Sequence, residues 1–269
     1  MLCSKQIFIL AFALVGLVGL GMVRPTHDLS STESPSQAQP FLALVVPHHD
    51  LILVLFQSFY NSISQSERAR VRQIIFLAPN HFQPEQTVIK TTSLPLVYSA
   101  LQVVPINQKR AAELTSIGVV DEPTVFKNEH AIMLHVPLIQ ENFPQAEVTP
   151  LLFTQNIPVS MLDELSFFLK KQIDDADTLV IVSTDFSHYL SEFEAKQNDQ
   201  HTLELIHAGD KQAMLGLSDD YVDCPACLYV LLSLLDTNRV PELLFHGNSA
   251  QFMSLAEADP TTSYCALRW

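Results

Sequence analysis

The sequence predicts a single α/β domain with a central, mostly parallel sheet flanked by helices. Two observations lead to this prediction: nearly continuous apolar runs rich in β-branched residues recur along the chain, and amphipathic stretches separate them. Strands that are buried on both faces of a sheet are typically continuous apolar runs, and helices between them cover the sheet. With 48% apolar and 16% charged residues, the chain has enough material for such a core.

The first 40 residues are expected to lie outside this domain. Residues 7–23 carry no charge and lie between Lys5 and Arg24. This length is long for a signal-peptide core and close to the minimum for a membrane span, so residues 1–24 are predicted to be a membrane anchor or export signal. Residues 25–40, rich in Ser, Thr, Pro and Gln, are predicted to be a flexible linker. The domain at residues 41–269 is therefore expected to be extracytoplasmic, either anchored or exported.

The secondary structure of residues 41–269 follows from these patterns. The apolar runs predict strands at Phe41–Val46, Gln73–Ala78, Val88–Thr91, Leu101–Pro105, Val148–Phe153, Thr178–Ser183, Glu242–Phe245 and Tyr264–Leu267. The amphipathic stretches predict helices at Leu51–Ser64, Gln108–Ile117, His130–Glu141, Ser160–Ile173, Glu192–Ala208 and Ala226–Leu235. The sequence has no internal repeat and no second linker, which favours one domain.

Charge and glycine content exclude two classes of ligand. The formal net charge is −14 and no basic run occurs, whereas nucleic-acid binding needs clustered Lys and Arg. The seven glycines are too scattered for a phosphate-binding loop or a dinucleotide fingerprint. We therefore expect neither nucleic acid nor a nucleotide cofactor.

Histidines follow the carboxyl ends of four predicted strands. His48 and His49 follow the first, His81 the second, and His188 and His246 two later ones. Loops at this edge surround the ligand crevice of open α/β sheets. A single histidine after a strand is more often a loop hydrogen-bonding group, but its recurrence at four strands favours a shared site. Such a site suits a divalent metal or acid–base chemistry, and only one of the adjacent His48 and His49 is expected to face it.

Three further polar residues are candidates either for the site or for a structural role. Asp185 can belong to the same site or cap the following helix. His130 begins a predicted helix and is a candidate site residue. His135 is five residues further on, so the two do not share a helix face as an i, i+4 metal-binding pair does. We therefore predict that His135 packs in the core.

The Cys224-Pro-Ala-Cys227 motif has two interpretations. A CxxC at a helix start is typical of thiol–disulfide oxidoreductases. Here it occurs late in the chain, and the preceding acidic residues Asp219, Asp220 and Asp223 oppose a thiolate. A structural disulfide is the favoured prediction.

Several short motifs together resemble one known family. They are Val46-Pro47-His48, Phe76-Leu-Ala-Pro-Asn80-His81, Glu129-His130-Ala-Ile, Val182-Ser183-Thr-Asp185-Phe-Ser-His188, Asn248-Ser249 and Ser263-Tyr264-Cys-Ala. In order and spacing, from Phe41 to the end, they resemble the Memo-like family, called AmmeMemoRadiSam system protein B in prokaryotes. That family is similar in fold to the B subunit of class III extradiol dioxygenases, which are non-haem iron enzymes.

The resemblance implies a metal centre and its pocket. His48 and His81 correspond to metal ligands, and His188, Asp185 and His130 to catalytic pocket residues. The implied cofactor is a divalent metal, with Fe(II) or copper favoured over zinc.

The chain departs from the family pattern at two positions. Met133 stands where the family usually has an acidic residue, and Phe252 where animal members have a metal-binding cysteine. The third protein ligand is therefore open, with His188, Asp185 and His246 as candidates.

Three functions are compatible with these features. The first is a metal-dependent redox enzyme that leaves coordination positions open for dioxygen or substrate. The second is a binding module that uses the same pocket, poor in metal, for a peptide or small molecule. The third is metal-assisted hydrolysis with zinc. Besides the small ligand, the expected partner is a membrane, contacted through the N-terminal segment.

Overall fold

The sheet at the centre of the fold is built mainly from seven of the eight predicted apolar runs; the eighth, Leu101–Pro105, lies in a separate hairpin. The structure, a computed structural model, describes residues 41–269 except 84–85, 174–176, 237 and 254–258. Its strands are β1 Leu42–Val46, β2 Gln73–Pro79, β3 Ile89–Thr91, β4 Leu96–Ser99, β5 Gln102–Val104, β6 Val120–Asp121, β7 Glu147–Phe153, β8 Thr178–Ser183, β9 His188–Leu190, β10 Glu242–Asn248 and β11 Thr261–Arg268. In the described part of the chain, nine of these form one sheet, and β4 and β5 form a separate hairpin.

The order of the strands brings four parallel strands to the middle of the sheet. The order is β10-β11-β1-β8-β2-β7-β3-β6, with β9 beside β11. Strands β1, β8, β2 and β7 are mutually parallel neighbours, whereas β11 is antiparallel to both β1 and β10. The predicted mostly parallel sheet is therefore confirmed, and the carboxyl ends of β1, β8 and β2 lie side by side at one edge.

Helices cover both faces of the sheet, as predicted. They are α1 Leu53–Asn61, α2 Gln65–Arg70, α3 Gln108–Thr115, α4 Pro123–Phe126, α5 His130–Met133, α6 Val136–Asn142, α7 Val159–Lys170, α8 Glu192–Ala208, α9 Lys211–Met214, α10 Pro225–Leu234 and α11 Ala250–Met253, with a 3-10 turn at Asp50–Ile52. Successive residues of a strand point to opposite faces. Ala43 and Val45 accordingly join the core under α7 and α10, and Leu44 and Val46 the core under α1 and α6.

The membrane-related predictions need correction. Of the residues that the structure describes, none belongs to a helix long and apolar enough to cross a bilayer. The apolar segments there are short strands or helices such as the ten-residue α10, whereas a span needs about 20 residues. The predictions of a transmembrane or signal segment, of membrane contact and of an anchored or exported location are therefore unsupported and wrong as stated. Residues 1–40 lie outside the described residues, and the division at 24 and 40 stays a prediction.

The cysteines of the domain are inaccessible. Cys224 and Cys227 form a disulfide across the start of α10, which confirms the predicted pairing. Both are buried, and so is the free Cys265 on β11, where burial raises the pKa of the thiol well above its ordinary value. The CxxC motif is thus closed inside the core.

Alkylation of the native protein is expected to leave these three cysteines unmodified, because the disulfide and burial deny access to thiolates. Unfolding without reductant should expose Cys265 for labelling, and reductant should then add Cys224 and Cys227. Peptide mass spectrometry measures each step. Labelling of Cys224 or Cys227 before reduction would contradict the disulfide.

Candidate metal centre

His48 lies directly after β1 and is fixed by two residues of the neighbouring strand end. Its side chain is buried, with Nδ1 3.1 Å from Ser183 Oγ at the end of β8. Its backbone N–H donates to Asp185 Oδ1 over 3.0 Å. A metal-binding histidine typically has its second ring nitrogen held by a hydrogen bond. With Nδ1 held in this way, Nε2 of His48 faces the edge of the sheet and is available as a ligand.

His81 follows β2 and is held by a buried carboxylate. Glu129 Oε1 lies 2.8 Å from His81 Nδ1, and Glu129 Oε2 accepts the His81 backbone N–H over 2.8 Å. Glu129 also caps α5, since its side chain accepts from the N–H of Ala131. A carboxylate on one imidazole nitrogen fixes the ring and raises the basicity of the other. Nε2 of His81 is therefore the ring nitrogen available as a ligand.

His130 completes a cluster of three histidines. Each of His48, His81 and His130 offers one ring nitrogen, and the three atoms lie within 4.8 Å of one another. The His130 ring centroid lies 4.4 Å from that of His81 and 5.2 Å from that of His48. Imidazole suits zinc, copper, iron and nickel. This cluster can hold a divalent metal, as the sequence predicted for His48 and His81.

Asp223, from the loop before α10, places a further carboxylate at the cluster. Its Oδ2 lies 3.0 Å from His48 Nε2 and 3.8 Å from His81 Nε2, yet no donor reaches this buried oxygen in hydrogen-bond geometry. Its Oδ1 accepts the hydroxyl of Thr184 over 2.5 Å. A buried, unsatisfied polar atom in a native structure calls for an explanation such as an ion or a ligand. The donor set at this edge therefore fits a metal cation.

Nearby carboxylates favour the protonated forms of His48 and His81 in the metal-free protein. Burial opposes a charge on His81, but Asp223 and Glu129 outweigh it and raise the pKa of His81 to about 10. At His48, too, burial opposes the charge, and Asp185 and Asp223 raise the pKa above its ordinary value. Burial, followed by His48, lowers the pKa of His130. His81 is thus protonated in the metal-free protein at neutral pH, and the raised pKa of His48 shifts its ring toward the protonated form.

The other candidate residues are distributed around this cluster. Asp185 is buried and holds His48 through its backbone, with Oδ2 3.8 Å from His48 Nε2. His188 begins β9 beside the site, and its Nδ1 is buried without a hydrogen-bond partner. His246 lies within β10 and is bound to Asp199, with 2.7 Å between Nε2 and Oδ2. His49 turns away, as predicted for one of the adjacent pair, and its Nδ1 accepts from the N–H of Leu51.

His135 supports the metal centre from within the core, which confirms its predicted packing role. It is completely buried and stacks on Phe56 at 4.9 Å between ring centroids. Its Nδ1 lies 3.0 Å from Tyr60 Oη and its Nε2 3.1 Å from the carbonyl oxygen of Pro47, the residue before His48. Burial lowers the pKa of His135 to about 3, so it stays neutral and keeps both hydrogen bonds.

We expect His135→Leu to lower the free energy of unfolding by about 2–4 kcal/mol, because it leaves two buried polar groups without partners. Tyr60→Phe, which removes only the hydroxyl, should cost about 1 kcal/mol. Urea unfolding of the metal-free proteins measures both. A loss below about 0.5 kcal/mol for His135→Leu would contradict this supporting role.

Comparisons with known proteins identify the family of this chain. The model of the family described as Memo-like protein matches residues 26–263. The chain belongs to the Memo-like family. It is 24% identical over 209 residues to a MEMO1 family protein of Caldivirga maquilingensis, a match that covers 75% of this chain and 73% of the relative. A MEMO1 family protein of Thermus thermophilus is 25% identical over 231 residues (79% and 68%), and rat Protein MEMO1 is 22% identical over 189 residues (68% and 63%).

Two carboxylates of this Memo-like site were not predicted as site residues. The sequence marks Glu129 only as the start of a motif, although in the structure it is buried and both its oxygens contact His81. The sequence marks Asp223 only as an acidic neighbour of the CxxC motif. The one available signal was its position just before a helix that begins with Pro225 and is strongly apolar, which predicts a buried loop end.

Proposed function

We propose that this Memo-like protein is a metal-dependent oxidoreductase, with Fe(II) held by His48 and His81 as its working metal. The supporting observation is the convergence of ring nitrogens within 4.8 Å in a site where Ser183 and Glu129 occupy the other nitrogen of each ligand. Buried carboxylates around the cluster favour a hard cation such as Fe(II) over Cu(I). Bound Fe(II) with open coordination positions supplies one-electron redox chemistry and activation of dioxygen.

The residues around the metal site have separate proposed roles in positioning the ligands and transferring protons. Asp185 positions His48 by accepting its backbone N–H, and Glu129 positions His81. His188 is proposed to carry protons to and from the substrate, since its Nδ1 is buried beside the site without a partner. His130 has a side chain that is 47% exposed, so it lines the open side through which a substrate enters and can exchange a proton with it.

Oxygen consumption by the metal-loaded protein tests this function. The purified chain is loaded anaerobically with Fe(II), with copper or with Zn(II), and oxygen uptake is recorded with a series of catechols, other phenols and thiols. We expect uptake with one substrate class, dependent on Fe(II) and lost in His81→Ala. Iron-loaded protein that binds these compounds without consuming oxygen would overturn the redox proposal in favour of a binding module. Hydrolysis of ester or phosphoester probes with Zn(II) alone would overturn it in favour of a hydrolase.

A further inference from the structure

The Asp223 side chain is fixed with one oxygen free. Its Oδ1 accepts from the hydroxyl of Thr184, and its backbone N–H donates to the carbonyl oxygen of Asp185 over 3.2 Å. The side chain is 10% exposed, and the remaining Oδ2 forms an ion pair with His48 Nε2 but accepts no hydrogen bond in good geometry. The next residue, Cys224, is tied to Cys227 by the disulfide, which anchors this loop to the first turn of α10.

The distances to the two ligand histidines match those between ligands of one ion. Ligands about 2.1 Å from a cation lie about 3.0 Å apart at a right angle and about 3.4 Å apart at the tetrahedral angle. Asp223 Oδ2 is 3.0 Å from His48 Nε2 and 3.8 Å from His81 Nε2. The first pair already has this spacing, and the second requires a shift of roughly half an ångström at the half-buried His81.

We infer that Asp223 is the third protein ligand, so that two histidines and one carboxylate hold the metal. This inference rests on the proposed function and identifies the third protein ligand, which the sequence left open. Such a ligand set leaves open positions on one side of the metal and is typical of non-haem Fe(II) oxygenases. Because a carboxylate is a harder ligand than a thiolate, Asp223 also favours Fe(II) over Cu(I).

The alternative third ligands are less suited. The His130 ring is inclined by 33° to that of His81 at 4.4 Å, and its Nδ1 lies 3.4 Å from Glu129 Oε1. It therefore lies alongside His81, at the exposed mouth of the site. Asp185 already holds the backbone of His48 with one oxygen, and its other oxygen is 3.8 Å from His48 Nε2. His246 is committed to Asp199. Asp223 alone of these has a free oxygen within 4 Å of both ligand nitrogens.

Anaerobic Fe(II) titration of four full-length proteins tests the inference: wild type, Asp223→Asn, His130→Asn and Asp220→Asn. Asp220 is the matched control, an exposed aspartate three residues away in the same loop. Loss of a residue that only orients a ligand costs about 10–100-fold in metal affinity, so loss of a ligand should cost at least about 100-fold. We expect that loss for Asp223→Asn only, and less than a tenfold change for the other two variants.

Chemical rescue separates a ligand from a structural role. Asp223→Ala leaves room for a small anion, so acetate or formate in solution should restore part of its Fe(II) affinity and of the visible Co(II) absorption. Circular dichroism and the melting temperature of the metal-free variants confirm folding. Wild-type affinity in Asp223→Asn, an equal loss in His130→Asn, or a folded Asp223→Ala that carboxylate does not rescue would overturn the inference. Wild-type protein that binds no metal would instead overturn the proposed function itself.

Discussion

Replacing His81 by alanine is expected to abolish stoichiometric binding of a divalent metal, and His48→Ala should do the same. Each removes a ligand atom from a centre that has few, and the partners Glu129 and Ser183 contact the other ring nitrogen of each histidine. We expect the Fe(II) affinity to fall by at least about 100-fold, since loss of an outer partner alone costs 10–100-fold. Isothermal titration and metal analysis after gel filtration measure the effect.

His49→Ala is the matched control for these variants, because His49 neighbours His48 but faces away with its Nδ1 on the backbone of Leu51. It should bind metal like the wild type. Both metal-free ligand variants should be less stable than the wild type, because His81→Ala leaves the buried Glu129 without its imidazole partner and His48→Ala does the same to Asp223. Full metal binding by either ligand variant would refute the assignment.

Metal affinity is expected to rise steeply with pH up to about 10, where His81 loses its proton in the metal-free protein. The metal and the proton compete for the same nitrogen, so each displaced proton adds about a factor of ten in affinity per pH unit. His48, whose pKa is also raised, adds a second proton, so the slope approaches two over part of this range. Chelator competition between pH 6 and 9, corrected for protonation of the chelator, measures the slope. A pH-independent affinity would show that His48 and His81 are unprotonated and would contradict this electrostatic account.

The stability of the metal-free protein is expected to depend on pH in the opposite direction to metal affinity, through the same histidine protonation. The pKa of His81 is about 10 in the folded protein and near its ordinary value of 6.5 in the unfolded chain. A group with a raised folded pKa contributes stability that is complete below the unfolded pKa and is lost as pH rises through the folded pKa. The metal-free protein should therefore lose stability between pH 6.5 and 10, over the range in which metal binding strengthens.

The central strands could be predicted from the sequence because each is a long apolar run. The runs that form β1, β2, β7 and β8 are almost continuously apolar in their centres, as expected of strands covered on both faces. Short edge strands such as β6, two residues long, carry no periodic pattern and were missed. The predicted helix over residues 130–141 is broken into α5 and α6, because Pro137 lacks the N–H that a continuous helix would need.

The sequence predicts those site residues that directly follow the ends of parallel strands. His48 and His81 follow parallel strands β1 and β2, which are separated only by β8, so their convergence follows from topology. His246 follows the end of a predicted strand, but it lies within the longer β10 and is hydrogen-bonded to Asp199, a partner that no local pattern predicts. Asp223 reaches the site from a loop 38 residues after Asp185, through the contact between its backbone N–H and the carbonyl of Asp185. Such long-range contacts depend on the packing of α10 and are invisible in the local sequence.

A crystal structure of the protein loaded anaerobically with Fe(II), with anomalous data collected at the iron edge, tests the metal centre most directly. We predict one anomalous peak per chain, about 2.0–2.2 Å from Nε2 of His48 and from Nε2 of His81. Asp223 Oδ2 should be the third protein atom at that distance, and His130 should remain outside it. A peak elsewhere, or no peak at saturating Fe(II), would contradict the account.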